Sequence, residues 1–533
     1  MKPVLEALVG RRSFFKSAGM AAAGASALSF ATERDAEAAL QNVNTRSIPA
    51  DLKITDLRVA VIGNAPMTCP IIRIDTNQGI SGYGEVRDGA SKTYALLLKS
   101  RLIGENPCNV DKVFRKIKQF GHHARQAGGV CAVEMACWDL AGKAFGVPVY
   151  HMLGGQFRNR VRLYADTDQM KDGVAQGKRL KERMDAGITY LKMDFGIELI
   201  RDVPGALSVP IGQTVQERAM TMHPFTGVEI TDKGIALLEE YVGGVRSIVG
   251  MEVPLSTDHF GHIGVNSCIK LARAMEKWNL AWMEDMVPWQ LGHLMKQIAD
   301  NTTVPILTGE DIYLKEDFVK LIDMGAVDAI HPDLASAGGI LETKKIGDYA
   351  MEHGVPMAMH FAGSPISFMA NVHCAAATEN FISLEHHSLD VPWWGDLVTP
   401  APVIEKGFAV VPDRPGLGVE PNPDVIKAHL KEPGYFEPTP EWDKERSFMA
   451  NVHCAAATEN FISLEHHSMD VPWWGDLVTP APVIEKGFAV VPDRPGLGVE
   501  PNPEVIKAHL KEPGYFEPTP EWDKERSWDR LWS

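Results

Sequence analysis

The 533-residue chain has little cysteine, no run of Lys and Arg, and no apolar stretch of membrane-spanning length. Its seven cysteines (Cys69, Cys108, Cys131, Cys137, Cys268, Cys374 and Cys454) show no Cys-x-x-Cys spacing. That excludes a disulfide framework and a thiolate zinc site. Lys and Arg number 53 against 69 Asp and Glu, a formal charge of −16. Nucleic acid is gripped by clustered basic residues, so it is not an expected partner. What the chain does have is 45% hydrophobic and 23% charged residues, the proportions of a soluble enzyme with a large core.

Both ends carry features of their own. Residues 11–16 read Arg-Arg-Ser-Phe-Phe-Lys, ahead of a weakly apolar stretch from Ser17 to Ala31 and a small-x-small site at Ala36-Glu37-Ala38. This is the pattern of a removable export signal of twin-arginine type, so a periplasmic protein free of the membrane after signal removal is expected. At the other end, residues 368–447 recur as 448–527 with two changes, Leu389 to Met469 and Asp424 to Glu504. Solenoid repeats are shorter and diverge, so this is a tandem duplication rather than a solenoid.

The middle of the chain repeats a different rhythm. Short apolar runs end in ionisable residues: TYLKMD (Lys192, Asp194), VPLSTD (Asp258), LAWMED (Glu284), PILTGED (Glu310), DAIHPD (Asp333), PMAMH (His360) and FISLEHH (Glu385). From Asp258 onward the steps are 23 to 27 residues. Between them, segments such as 268–278, 314–325 and 342–354 repeat apolar residues three and four apart, as helices do. A strand, a helix and two loops fill one step, which is the rhythm of a (β/α) barrel with its active site at the C-terminal strand ends.

Buried parallel strands tolerate carboxylates at their ends only where charges are paired or a metal collects them. Asp258, Glu284 and Glu310, on successive strands, make an oxygen-only set that suits Mg²⁺, with Mn²⁺ as the alternative. Asp333 and His360 follow on the next two strands. A carboxylate beside an imidazole fixes its tautomer and yields a general base. Lys192 and Asp194 are two apart on one strand, point the same way and both reach the cavity.

This order resembles the mandelate racemase branch of the enolase superfamily. The flanking text agrees: RLIGENPCNVDKVF (101–114), AVEMACWDLAGKAFGVPVYHMLGG (132–155) and HPDLASAGGILETKKIGDYAMEHGVPMAMH (331–360). The resemblance covers residues 50–447. It implies an α/β chain with an N-terminal α+β capping domain over a modified (β/α)7β TIM barrel. It further implies one Mg²⁺ that binds a substrate carboxylate, ligated by Asp258, Glu284 and Glu310, with Asp333–His360 as acid/base. Glu385 takes the place of the residue that hydrogen-bonds the substrate carboxylate or enolate oxygen, and Lys192 matches the first lysine of the family's Lys-x-Lys.

The second lysine of that motif is Asp194 here. An aspartate returns a proton poorly, so racemisation is disfavoured. Abstraction by His360 followed by loss of a β-hydroxyl, the dehydration of a sugar acid, is favoured. The group that protonates the departing hydroxyl stays open among His360 itself, His259 and His262; related dehydratases place a His where Phe260 stands. A cycloisomerase or epimerase using the same enediolate is the alternative reaction, and a non-catalytic sugar-acid binding protein the alternative class. The expected partners are a small carboxylate substrate and further copies of the chain in a homo-oligomer.

The expected organisation is 1–45 signal and linker, 46–160 capping domain, 161–395 barrel, 396–447 a return to the capping domain, and 448–533 the duplicate plus tail. Residues 61–90 should form a capping hairpin that shapes the pocket, and 198–232 an insertion that is either a lid, an oligomer contact or surface decoration. Trp393-Trp394 either lines a sugar wall or packs the domain junction. His122-His123 reads as surface.

Overall fold

The computed structural model describes residues 48–63, 65, 67–209, 214, 227–258, 263–442, 470–491, 494, 495, 497–510 and 514–516. The export signal read in residues 1–45, Met222-His223-Pro224 of the insertion, His259, Phe260, His262 and Glu465 lie outside these residues. No helix among the described residues is long and apolar enough to cross a membrane.

The N-terminal unit begins with an antiparallel meander of β1 (Ile54–Ile62), β2 (Cys69–Thr76) and β3 (Ser81–Glu85). Helix α1 (Gly128–Phe145) packs across it and is buried along nearly its whole length. A helix apolar all round belongs between two layers, and α1 separates the meander from the barrel. Gly84 allows this approach, since a Cβ there would collide with the α1 backbone at Ala132.

The rest is a barrel. Its strands and helices alternate as β4 (Arg160–Ala165), α2 (Gly173–Asp185), β5 (Leu191–Asp194), α3 (Asp232–Val249), β6 (Leu255–Asp258), α4 (Val265–Met275), β7 (Met283–Glu284), α5 (Gly292–Ala299), β8 (Ile306–Thr308), α6 (Lys315–Met324), β9 (Ala329–Ile330), α7 (Ile340–Glu352), β10 (Met357–Met359), α8 (Pro365–Ala377) and β11 (Phe381–His386). The strands are parallel neighbours in chain order, and β11 closes the ring on β4 through Leu384↔Leu163 and Glu385↔Tyr164. Seven βα units and a final strand make the (β/α)7β architecture with a capping domain, as the sequence led one to expect. The closing strand β11 belongs to the first copy of the duplicated segment.

Two buried carboxylates dock the cap onto barrel helices. Glu85, at the end of β3, accepts from the Ser364 backbone N–H (3.0 Å) and from its hydroxyl, just ahead of α8. Glu134 of α1 accepts from the N–H groups of Ile340 (2.7 Å) and Leu341 (3.0 Å) at the start of α7, and from Trp138 Nε1 (2.6 Å). A helix N-terminus has unpaired N–H groups and a partial positive charge, so each acid satisfies donors that burial would otherwise strand. Gly339, with φ +91°, gives Glu134 room, because a Cβ there would strike its carboxylate.

Burial pushes the Glu134 carboxyl up to about 7. In the unfolded chain it titrates near ~4.3. Across that window the folded state keeps a proton the unfolded state has released, so stability falls as pH rises through it. Glu134→Gln has no such proton. The wild type's stability margin over this variant is expected to shrink by up to ~3 kcal/mol from pH 4.5 to pH 7 in urea unfolding. A margin that does not change with pH would contradict this.

After the barrel the chain returns to the cap. Lys431 and Phe436 donate backbone N–H groups to Val61 and Val59 of β1 (2.9 and 3.2 Å). In the second copy, the described residues form the same local pairings: Val478–Thr479 with Glu500–Pro501, and Ile484–Glu485 with Phe488–Ala489. Trp473 stacks on His509 at 3.8 Å, as Trp393 stacks on His429 at 3.6 Å. Burial separates the copies. Phe436 is 2% exposed and its counterpart Phe516 is 78% exposed, so the second copy has the local fold without the seat.

Candidate active site

Parallel pairing of adjacent strands sets the strand-end residues side by side. On β5 and β6 the register matches Lys192 with Ser256 and Asp194 with Asp258. At the next tips, Asp333 and His360 form a parallel bridge beyond β9 and β10. Lys192, Asp194, Asp258, Glu284, Glu310, Asp333, His360 and Glu385 therefore all lie on the C-terminal rim.

At the centre stands the Lys192 ammonium, fully buried. It is 2.5 Å from Asp258 Oδ2, 2.9 Å from Glu385 Oε1 and 3.3 Å from Glu284 Oε2. Burial alone would lower its pKa, but these three carboxylates outweigh that and raise it well above the ordinary lysine value. The same contacts, with His360 and His387, hold Glu385 well below the usual carboxylate range against its burial. Glu385 also accepts a hydrogen bond from the Tyr164 hydroxyl at 2.9 Å.

His360 is oriented from one side. Its Nδ1 lies 2.6 Å from Asp333 Oδ2, while Nε2 points inward, 3.3 Å from Glu310 Oε2 and 3.7 Å from Glu385 Oε2. Asp333 is itself fixed by the Ala335 N–H at 2.5 Å. Burial and the nearby Arg87 push His360 well below the ordinary histidine value, so the imidazole is neutral. Burial raises Asp333 to about 7, with Arg87 opposing.

Arg87 is the residue the sequence did not single out, although it lies in the 61–90 hairpin. It enters from the capping domain, 1% exposed, and ion-pairs with Asp333. Its Nη1 is also 2.8 Å from Asp88 Oδ1 and 2.9 Å from His360 Nδ1, and Nη2 is 3.3 Å from Glu310 Oε1. The cap thus reaches the barrel's own acid/base pair.

The carboxylates outnumber the cations among them. Glu284 groups with Asp258 and Asp285 on one side and with Glu310 and His331 on the other, the candidate ligand atoms of each set lying within 4.8 Å of one another. Burial and mutual repulsion raise Glu284 and Asp285 far above the carboxylate range. Glu284 Oε1 accepts no hydrogen bond, although His331 Nδ1 is 2.6 Å away. Hard oxygen donors on one rim, with surplus negative charge and an orphaned oxygen, fit a divalent cation.

Asp285, Asp166, His331 and His387 complete the rim and were likewise not foreseen. His331, inside the HPD text, is buried between Glu284 and the Tyr164 hydroxyl (2.5 Å) and is held neutral, near 4, mainly by desolvation. Asp166, just past β4, draws together with Asp194 and Asp258. Two expectations resolve differently. Trp394 packs within the barrel, donating to the Gly363 carbonyl (2.8 Å) and lying edge-on against Phe368, while Trp393 stacks on His429 of the segment that returns to the cap. His123 is not simply surface, because its Nδ1 accepts from the Tyr313 N–H (3.2 Å) and its ring packs on Trp289.

The chain is similar to known proteins along most of its length. Residues 42–154 match the mandelate racemase/muconate lactonizing enzyme N-terminal domain, and 176–425 with 440–505 match the enolase C-terminal domain-like family. A D-xylonate dehydratase from Haloferax volcanii is 33% identical over 415 residues, covering 75% of this chain and 95% of its own. An arabinonate dehydratase from Saccharolobus solfataricus is 27% identical over 371 residues, covering 68% and 90%. The crystal structure of a mandelate racemase/muconate lactonizing enzyme-like protein from Rubrobacter xylanophilus superposes with a TM-score of 0.63 at 30% identity, covering 72% and 99%. With both of its domains matched and the strand-end carboxylates, lysine and His–Asp pair in place, the chain belongs to the mandelate racemase/muconate lactonizing enzyme family of the enolase superfamily.

Proposed function

We propose that the chain is a Mg²⁺-dependent dehydratase of a sugar acid, with Mn²⁺ as a substitute ion. One observation carries this reading. His360 presents a neutral Nε2 to a rim of carboxylates suited to a hard cation, while Asp333 holds Nδ1 at 2.6 Å. The sugar-acid dehydratases among its relatives support a hydro-lyase.

Asp258, Glu284 and Glu310 would hold the ion, which when bound supplies positive charge to a substrate carboxylate gaining a second negative charge. The remaining steps belong to side chains. His360 takes the α-proton at Nε2, and Asp333 stabilises the resulting imidazolium and fixes its tautomer. The Lys192 ammonium offers a second positive centre to the enediolate oxygens. The electron pair then forms the carbon–carbon double bond and the β-hydroxyl leaves. In its ionised state Glu385 only accepts hydrogen bonds, so it positions a substrate hydroxyl rather than donating to the enediolate. Asp194, where a racemase has its second base, stands beside Asp258, and a carboxylate there returns no proton to the opposite face.

The test is turnover of D-xylonate, arabinonate and D-galactonate with added Mg²⁺, with the 2-keto-3-deoxy acid trapped as its semicarbazone. Keto acid from at least one is expected. Isomers without keto acid would move the assignment to an epimerase or cycloisomerase, and inertness toward all three would overturn it.

A further inference from the structure

We propose that His387 is the general acid of the elimination, the group that protonates the departing β-hydroxyl; this rests on the dehydratase reading above. His387 lies one residue beyond β11. The chain turns there (His387 φ −86°, ψ −13°), and the His387 ring lies beside the Glu385 carboxylate at the mouth. His386 between them points the other way, against Phe368 and Trp394.

The ring has a carboxylate beside each nitrogen. Nδ1 lies 3.2 Å from Asp166 Oδ2. Nε2 forms an ion pair with Glu385 Oε1 at 3.3 Å, without hydrogen-bond geometry, and so faces the same carboxylate that His360 Nε2 approaches at 3.7 Å. The ring centroid is 5.9 Å from that of His360, nearly edge-on at 61°.

The charge environment of His387 suits a proton donor. Burial alone would lower His387. Around His387 the carboxylates of Asp166 and Glu385 outweigh both burial and Lys192, and raise it to about 10. It shares one cavity with His360, on the adjacent strand end. A protonated imidazole placed there can give its proton to an oxygen leaving the carbon next to the one that His360 deprotonates.

The proton count closes without a co-reactant. His360 takes the α-hydrogen as a proton, and its bonding pair becomes the new C–C π bond. The Cβ–O bond breaks, its electrons stay on oxygen, and His387 Nε2 supplies the proton that lets oxygen leave as water. The enol then tautomerises to the 2-keto-3-deoxy acid. His360 loses its proton to solvent and His387 regains one.

His387→Asn and His387→Gln, each checked for wild-type circular dichroism, test this with the aldonate that the wild type turns over. Two measurements separate an acid from a prop. Dehydration is expected to fall by ~10²- to 10⁴-fold in kcat, while exchange of the α-hydrogen in D₂O persists within about tenfold of wild-type turnover, the spread one lost contact typically leaves. On the 3-deoxy-3-fluoro analogue, whose fluoride leaves without protonation, a folded variant should match the wild type. Hydroxyl elimination within tenfold of wild type, or equal loss on the fluoro analogue, would overturn the assignment. A wild type inert on the whole aldonate panel would instead overturn the dehydratase reading.

Discussion

His360→Asn is expected to abolish α-hydrogen exchange and dehydration together, with kcat down by at least ~10³-fold. Among the described residues, His360 is the neutral imidazole whose Nε2 faces the pocket. His360 Nε2 lies beside the acidic side chains of Glu310 and Glu385, while Nδ1 is taken by Asp333. An asparagine keeps a polar contact to Asp333 and leaves Arg87 paired with Asp333, so the buried cation is not stranded. The fold and ion binding should therefore survive. This outcome differs in kind from that of His387→Asn, which loses only the second half of the reaction. Deuterium incorporation at the α-carbon, followed by proton NMR, checks it; exchange surviving in His360→Asn would remove the imidazole from the base role.

Glu284→Gln is expected to have two effects of opposite sign. Without added metal the variant should be at least as stable as the wild type, because it removes a buried carboxylate repelled by Asp258, Asp285 and Glu310. With metal the order reverses. A ligand at 100 times its dissociation constant stabilises a protein by ~2.7 kcal/mol, and Glu284 is the acid common to both ligand sets. Most of that gain should vanish in the variant, together with ~10²-fold or more of activity.

The strand-end ladder was legible because a parallel barrel buries both faces of each strand and confines ionisable groups to the tips. Each apolar run announced one site residue, and the spacing announced the next. Arg87 was not legible in this way. It lies 246 residues before Asp333, and only docking of the cap brings the two together. Glu85 and Glu134 read as ordinary polar positions until helix N-termini meet them. His387 stood in plain view beside Glu385, but its task depends on Asp166, which follows the first strand and meets the last only because the ring closes there. Trp394 belonged to a motif with two open readings, which its buried hydrogen bond to Gly363 settles as packing.

Parallel Mg²⁺ titrations of the wild type and Glu284→Gln, read in thermal midpoint and in keto-acid formation, bear most directly on the shared-ion claim. The wild type should gain stability and turnover together and lose both on chelation, with the variant flat in each. A variant that follows the wild-type curve, or a wild type whose turnover ignores chelation, would mean that the three strand tips do not gather a catalytic ion.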